Sequence, residues 1–195
     1  MRLKDYPAAL EHYDQSLLLA AKLSEVDRTN PQGKIDLALA HVNAGNVRLL
    51  AGDSAAGKQS FGRALGLFRP LAQEDPRKLE LQTNFVLVLA RHGDHVEAAQ
   101  RVEGLRNLAP QNHLNLYNVA CCYSLCVAAV LRDKSGEQLT SEEQALKRKY
   151  GDLAIAALRQ AATRGLKGAS GVMADPDLDA IRDHPEYPKL LEELK

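Results

Sequence analysis

Two Gly-Asp dipeptides, Gly52-Asp53 and Gly93-Asp94, stand 41 residues apart, each between an apolar stretch of helical period and an Ala-rich one. Gly ends a helix by taking a left-handed conformation, and Asp begins the next by accepting from its first free amides. Aligning "LALAHVNAGNVRLLAGDSAAGKQSFGRALGLF" with "LQTNFVLVLARHGDHVEAAQRVEGLRNLAP" brings the two turns into register. A partial copy, "KDYPAALEHYDQSL", opens the chain at what would be its second helix, as a trimmed or unusually capped first repeat would, and "LYNVACCYSLC" starts a fourth. Paired helices recurring at this spacing are the mark of a helical solenoid, in which no repeat buries its apolar face alone.

The local patterns agree. Phe61, Leu65, Phe68 and Leu71 form one stripe at i, i+4, i+7 and i+10, and Leu146, Tyr150, Leu153, Ala157 and Ala161 form another. Such stripes are amphipathic helices, and nothing alternates with a strand's period of two. Asn30-Pro31, Gly52-Asp53, Asp75-Pro76, Gly93-Asp94 and Pro110 punctuate them. Helices are therefore expected near 6–27, 32–51, 54–73, 76–92, 95–107, 112–132 and 141–164, with short ones near 176–184 and 186–194.

These residues resemble the tetratricopeptide repeat family. The first copy supplies Asp5, Tyr6, Ala9, Tyr13 and Leu17, and the second Gly45, Gly52, Asp53, Phe61, Ala64, Leu65 and Pro76. The third supplies Gly93, Asp94, Ala98 and Pro110, and the fourth Ala120 and Tyr123; Gly57 and Val102 depart from the usual Ala and aromatic. The resemblance covers about residues 4–165. It implies an all-α, right-handed superhelical solenoid of helical hairpins over 1–165, followed by a C-terminal extension with short capping helices over 166–195. The tail, "DPDLDAIRDHPEYPKLLEEL", is similar to the end of repeat regions attached to bacterial planctomycete-type serine/threonine kinases. No kinase catalytic motif occurs in the sequence, so this second likeness implies a regulatory C-terminal module of a larger bacterial serine/threonine kinase or other signalling protein. "LRDKSGEQLTSEEQ", near 132–143, is a polar insertion between the helices of the fourth pair and reads as a mobile loop.

Composition narrows the functions. Lys plus Arg and Asp plus Glu are 25 each, and a neutral chain argues against nucleic acid as a partner. No apolar run approaches 18 residues and the N-terminus lacks a signal peptide's apolar core, so no membrane insertion and a cytoplasmic location are expected. Cys121, Cys122 and Cys126 share one apolar stretch and have neither paired metal spacing nor a balanced disulfide set, which makes them small buried residues of a reducing compartment.

Three motifs imitate chemistry. Gly52, Gly57 and Lys58 match a phosphate loop, but Gln59 replaces the magnesium-holding hydroxyl, and the preceding segment is helical where the loop needs a strand. Asp175, Asp177, Asp179, Asp183 and Glu186 fall at positions of a calcium loop, but Ala180 stands where the turn needs Gly. The simpler reading has Asp175 as an N-cap with Pro176 at the first helical position. His92 and His95 lie across a turn without further ligands nearby and read as exposed turn residues. No catalytic residue, metal or cofactor is expected.

What remains is binding. In this register Asn43, Asn84 and Asn118 share one inward position on the first helices of successive pairs, with Asn46, Arg91 and Asn115 near the same side. Asn both donates and accepts, so such residues can hold the backbone of an extended peptide, and Arg91 can pair with a carboxylate. The expectation is a non-catalytic scaffold for a protein or peptide partner, with no oligomeric state specified.

Overall fold

The computed structural model describes residues 6–27, 29–132, 134 and 138–194. Its α-helices are α1 (Tyr6–Val26), α2 (Pro31–Leu50), α3 (Ser54–Glu74), α4 (Leu79–His92), α5 (His95–Leu108), α6 (His113–Leu131), α7 (Ser141–Thr163), α8 (Ala169–Ala174) and α9 (Tyr187–Glu193), with a 3-10 helix over Pro176–Ile181. Among the described residues there is no strand, and consecutive helices pack on their neighbours, as a helical repeat requires. The chain divides into two compact units between Val88 and Leu89.

In the first unit α2 packs against both α1 and α3. Asn30 caps α2 through its side chain, and Asp53 caps α3 by accepting from Ala56 N–H at 2.9 Å. Gly52 takes a φ of 87°, so the Gly-Asp turn forms as the repeat pattern requires. Two further glycines bring α2 and α3 together. A Cβ on Gly45 would lie 2.8 Å from the Phe61 ring, and one on Gly57 would lie 2.9 Å from Leu49 Cδ2. The phosphate-loop letters are thus a helix–turn–helix, with Gly57 and Lys58 inside α3 and a helix upstream. Arg48 ties the three helices, donating to Ser60 Oγ at 2.6 Å and to Asp14 at 2.9 Å. At the α3–α4 corner the Gln82 amide donates to the Ala72 and Asp75 carbonyls, at 2.7 and 3.1 Å.

In the second unit α6 is the central element, packed against α5, α7 and the 3-10 helix. The absence of a membrane-length apolar segment needs correction. Over 18 residues α6 reaches a mean hydropathy of 1.7, long and apolar enough to span, because Asn, Tyr and Ser interrupt the run without lowering its average below that of a spanning helix. Most of that stretch is buried inside the protein. Thr140 and Glu143 form a reciprocal capping box that starts α7. Of the expected insertion near 132–143, residues 133 and 135–137 lie outside the described residues. The three cysteines are buried, as expected.

Candidate functional site

A polar cluster of the second unit gathers where the tail meets the end of α4 and α6. Arg132 follows the last residue of α6 and donates to the Arg91 and His92 carbonyls at 2.8 and 3.0 Å, satisfying orphan acceptors at the end of α4. Gly93, at a φ of 110°, leaves the room for this: a Cβ there would sit 2.8 Å from Arg132 Nη1. The end of α4 is thereby fixed, and from it the Arg91 guanidinium donates to Asp177. Both side chains are largely withdrawn from water, 14% and 20% exposed.

Tyr117 on α6 completes the cluster. Its hydroxyl donates to Asp175 Oδ2 at 2.5 Å, while Asp175 Oδ1 accepts from Asp177 N–H at 2.9 Å. Asp175 therefore caps the 3-10 helix with Pro176 behind it, as its sequence position suggests, and also receives a bond from the body of the unit. Burial, then the Asp175 contact, push the Tyr117 hydroxyl well above its ordinary value and keep it a donor. Burial likewise raises Asp177, against the opposing pull of Arg91. Cys121, beside Asp175, is raised by burial first and the two carboxylates next, and burial pushes Cys126 up to about 12. Neither thiol is an activated nucleophile.

The six groove candidates divide sharply. Asn115 is buried and donates both amide hydrogens to the Leu105 and Ala109 carbonyls, at 3.0 and 3.1 Å, so it closes the end of α5. Arg91 is bound to Asp177. Asn43 is exposed, and Asn46, Asn84 and Asn118 are half-buried; none of the four makes a side-chain hydrogen bond among the described residues. Asn43, Asn46 and Asn84 lie in the first unit, and Arg91, Asn115 and Asn118 in the second. Sequence reasoning missed Tyr117 and Arg132. Neither carries a local signal, because the partner of each is at least 40 residues away along the chain.

The other motifs resolve into structure. Asp175, Asp177, Asp179 and Glu186 turn to Tyr117, Arg91, Arg182 and Arg159, so their carboxylates do not converge. The histidines are half-buried where the sequence suggested exposure. His92 Nδ1 lies 2.9 Å from Asp94 Oδ2, and His95 Nδ1 lies 3.3 Å from Tyr150 Oη with the rings edge to face. No group of three His, Cys, Asp or Glu is placed to hold a metal ion among the described residues. A cleft of about 890 Å³ lies between α6, α7 and the tail, with Val127, Leu131 and Leu139 in its lining. Its rim carries Lys147 and Arg148 together with Asp179 and Asp183, charges of both signs that select no single ligand chemistry.

No protein-family model matches the chain, and no curated protein shows significant sequence similarity to it.

Proposed function

We propose that the chain is a non-catalytic, cytoplasmic module of tetratricopeptide-type helical repeats that binds an extended peptide or a protein partner. The observation that carries this reading is the repeated asparagine at one register position of α2, α4 and α6. Asn in a helix interior costs several tenths of a kcal/mol relative to Ala, because its amide competes with backbone bonding. Asn115 offsets that cost with two structural hydrogen bonds. Asn43, Asn84 and Asn118 make no side-chain bond among the described residues that would offset it. Within each unit, polar side chains that make no hydrogen bond among the described residues are suited to accept from and donate to another chain's backbone.

Panning a displayed peptide library against the intact chain tests this, using two variants made separately, Asn43→Ala/Asn84→Ala in the first unit and Asn118→Ala in the second. Peptides enriched by the wild type that bind at least tenfold more weakly to either variant, at unchanged melting temperature, support the reading. No enrichment, or enrichment indifferent to both variants, overturns it.

A further inference from the structure

α1 is apolar on two opposite sides, and the fold covers only one of them. Asp14 accepts from Arg48 of α2 at 2.9 Å, and a Cβ on Gly33 of α2 would lie 3.7 Å from Ser24 Cα. Together with the half-buried Leu10, Leu17 and Ala21, at helical spacing between them, these residues define the side turned to α2. Half a turn round the helix stand Leu19, Leu23 and Val26 at i, i+4 and i+7, with Leu18 on their flank. Leu18, Leu19, Leu23 and Val26 are 58%, 59%, 60% and 86% exposed. A helix packed on one side ordinarily carries polar residues on the other. The second copy of the repeat shows the contrast. Leu71 stands to Leu23 at the same offset as Phe61 to Tyr13 and Leu65 to Leu17, and Leu71 is buried.

The bare stripe also complements itself. Leu23 is its middle, and Leu19 and Val26 are its ends. Two copies of α1 laid antiparallel across a two-fold axis at Leu23 bring each Leu19 against Val26 of the other copy, and Leu23 against itself. The same operation brings Lys22 of each copy to Glu25 of the other. Both are exposed and make no ion pair among the described residues. An unrelated helix would have to supply this complement afresh, whereas a second copy of the chain already carries it. We propose that the chain self-associates as a two-fold dimer through this outer face of α1, with Leu19, Leu23 and Val26 at its centre and Lys22–Glu25 pairs at its edge. Four large side chains from each copy make a contact at the small end of specific interfaces, so a dissociation constant of roughly 1–100 μM is expected.

Sedimentation velocity on the full chain, at concentrations from micromolar to near millimolar, tests this. The wild type is expected to pass from monomer to dimer over that range. Leu23→Glu sets two carboxylates against each other on the axis and should stay monomeric throughout. Its melting temperature at the dilute end should match the wild type, because Leu23 lies in water in the monomer. Lys22→Glu should weaken the dimer about tenfold, and Lys22→Glu/Glu25→Lys should restore it, since the swap reverses both members of each pair. Leu114→Glu, at a similarly exposed leucine of α6, should dimerise as the wild type does. A monomer at every concentration, a dimer indifferent to Leu23→Glu, one that Leu114→Glu breaks as readily, or a Lys22 reversal that the swap does not rescue overturns the proposal. No asparagine of the peptide-binding reading lies on α1, so that reading stands or falls by its own library test.

Discussion

The Arg91 guanidinium, in the last turn of α4, donates to the Asp177 carboxylate 86 residues further along the chain. Removing one partner of a largely buried pair strands the other charge, whereas replacing both relieves it. Arg91→Ala is therefore expected to cost about 3 kcal/mol. Asp177→Asn should cost clearly less, because burial already raises the Asp177 carboxyl and the neutral form is the better tolerated one. The sign follows: a carboxyl raised on folding loses stability as pH climbs from its ordinary 3.8 through the raised value, and Asn removes that loss. A double-mutant cycle by urea unfolding checks this. Strictly additive losses would contradict the coupling.

Asn115 and Asn118 are one helical turn apart on α6 and serve opposite ends. Asn115→Ala leaves the Leu105 and Ala109 carbonyls without its amide and should destabilise by about 1–3 kcal/mol. Asn118→Ala should change stability by less than about 0.5 kcal/mol, since it has no such bond to lose. Comparable losses from the two, measured by thermal and chemical unfolding, would show Asn118 to be structural as well.

Glycine has contrasting roles at two helical positions. Gly45→Ala should cost about 1–3 kcal/mol, because its Cβ would press on the fully buried Phe61 ring at 2.8 Å. Gly104→Ala in α5 meets nothing within 4 Å and should stabilise by about 0.5–1 kcal/mol, as Ala does in an open helix interior. Destabilisation at Gly104 would mean that its surface is covered by something else.

The helices were legible in the sequence because they rest on local signals: apolar stripes of period 3.6, Asn30, Asp53 and Asp175 as caps, and Gly52 and Gly93 as terminators. The errors sit where distant contacts outvote local preference. α4 starts at Leu79, not near 76, because the Gln82 side chain bonds the carbonyls of Ala72 and Asp75 and holds the intervening residues as a turn. α8, in "ASGVMA", has weak helical letters and was not foreseen; Val172 is buried within it. The candidate site was legible only as a face. Asn115 and Asn118 look alike in sequence, and only the arrival of the end of α5 separates the structural one from the free one. Nothing near Arg91 announces Asp177, whose neighbours instead spell a calcium loop.

His41 on α2 is the clearest source of pH dependence in the first unit. Its Nδ1 is buried with no hydrogen-bond partner among the described residues, and burial first, then the charges of Arg63 and Arg48, lower its affinity for a proton. A histidine lowered on folding is neutral in the native state while the unfolded chain still protonates near 6.5, so stability falls as pH drops below about 6.5. The loss continues until the depressed native value is reached. Unfolding free energies between pH 7.5 and 5 should decline more steeply for the wild type than for His41→Gln. Because burial is the leading cause, the difference should persist in 1 M salt, where screening is effective beyond about 3 Å. A slope that vanishes with salt would assign the shift to the two arginines, and parallel slopes for the two proteins would remove His41 from the account.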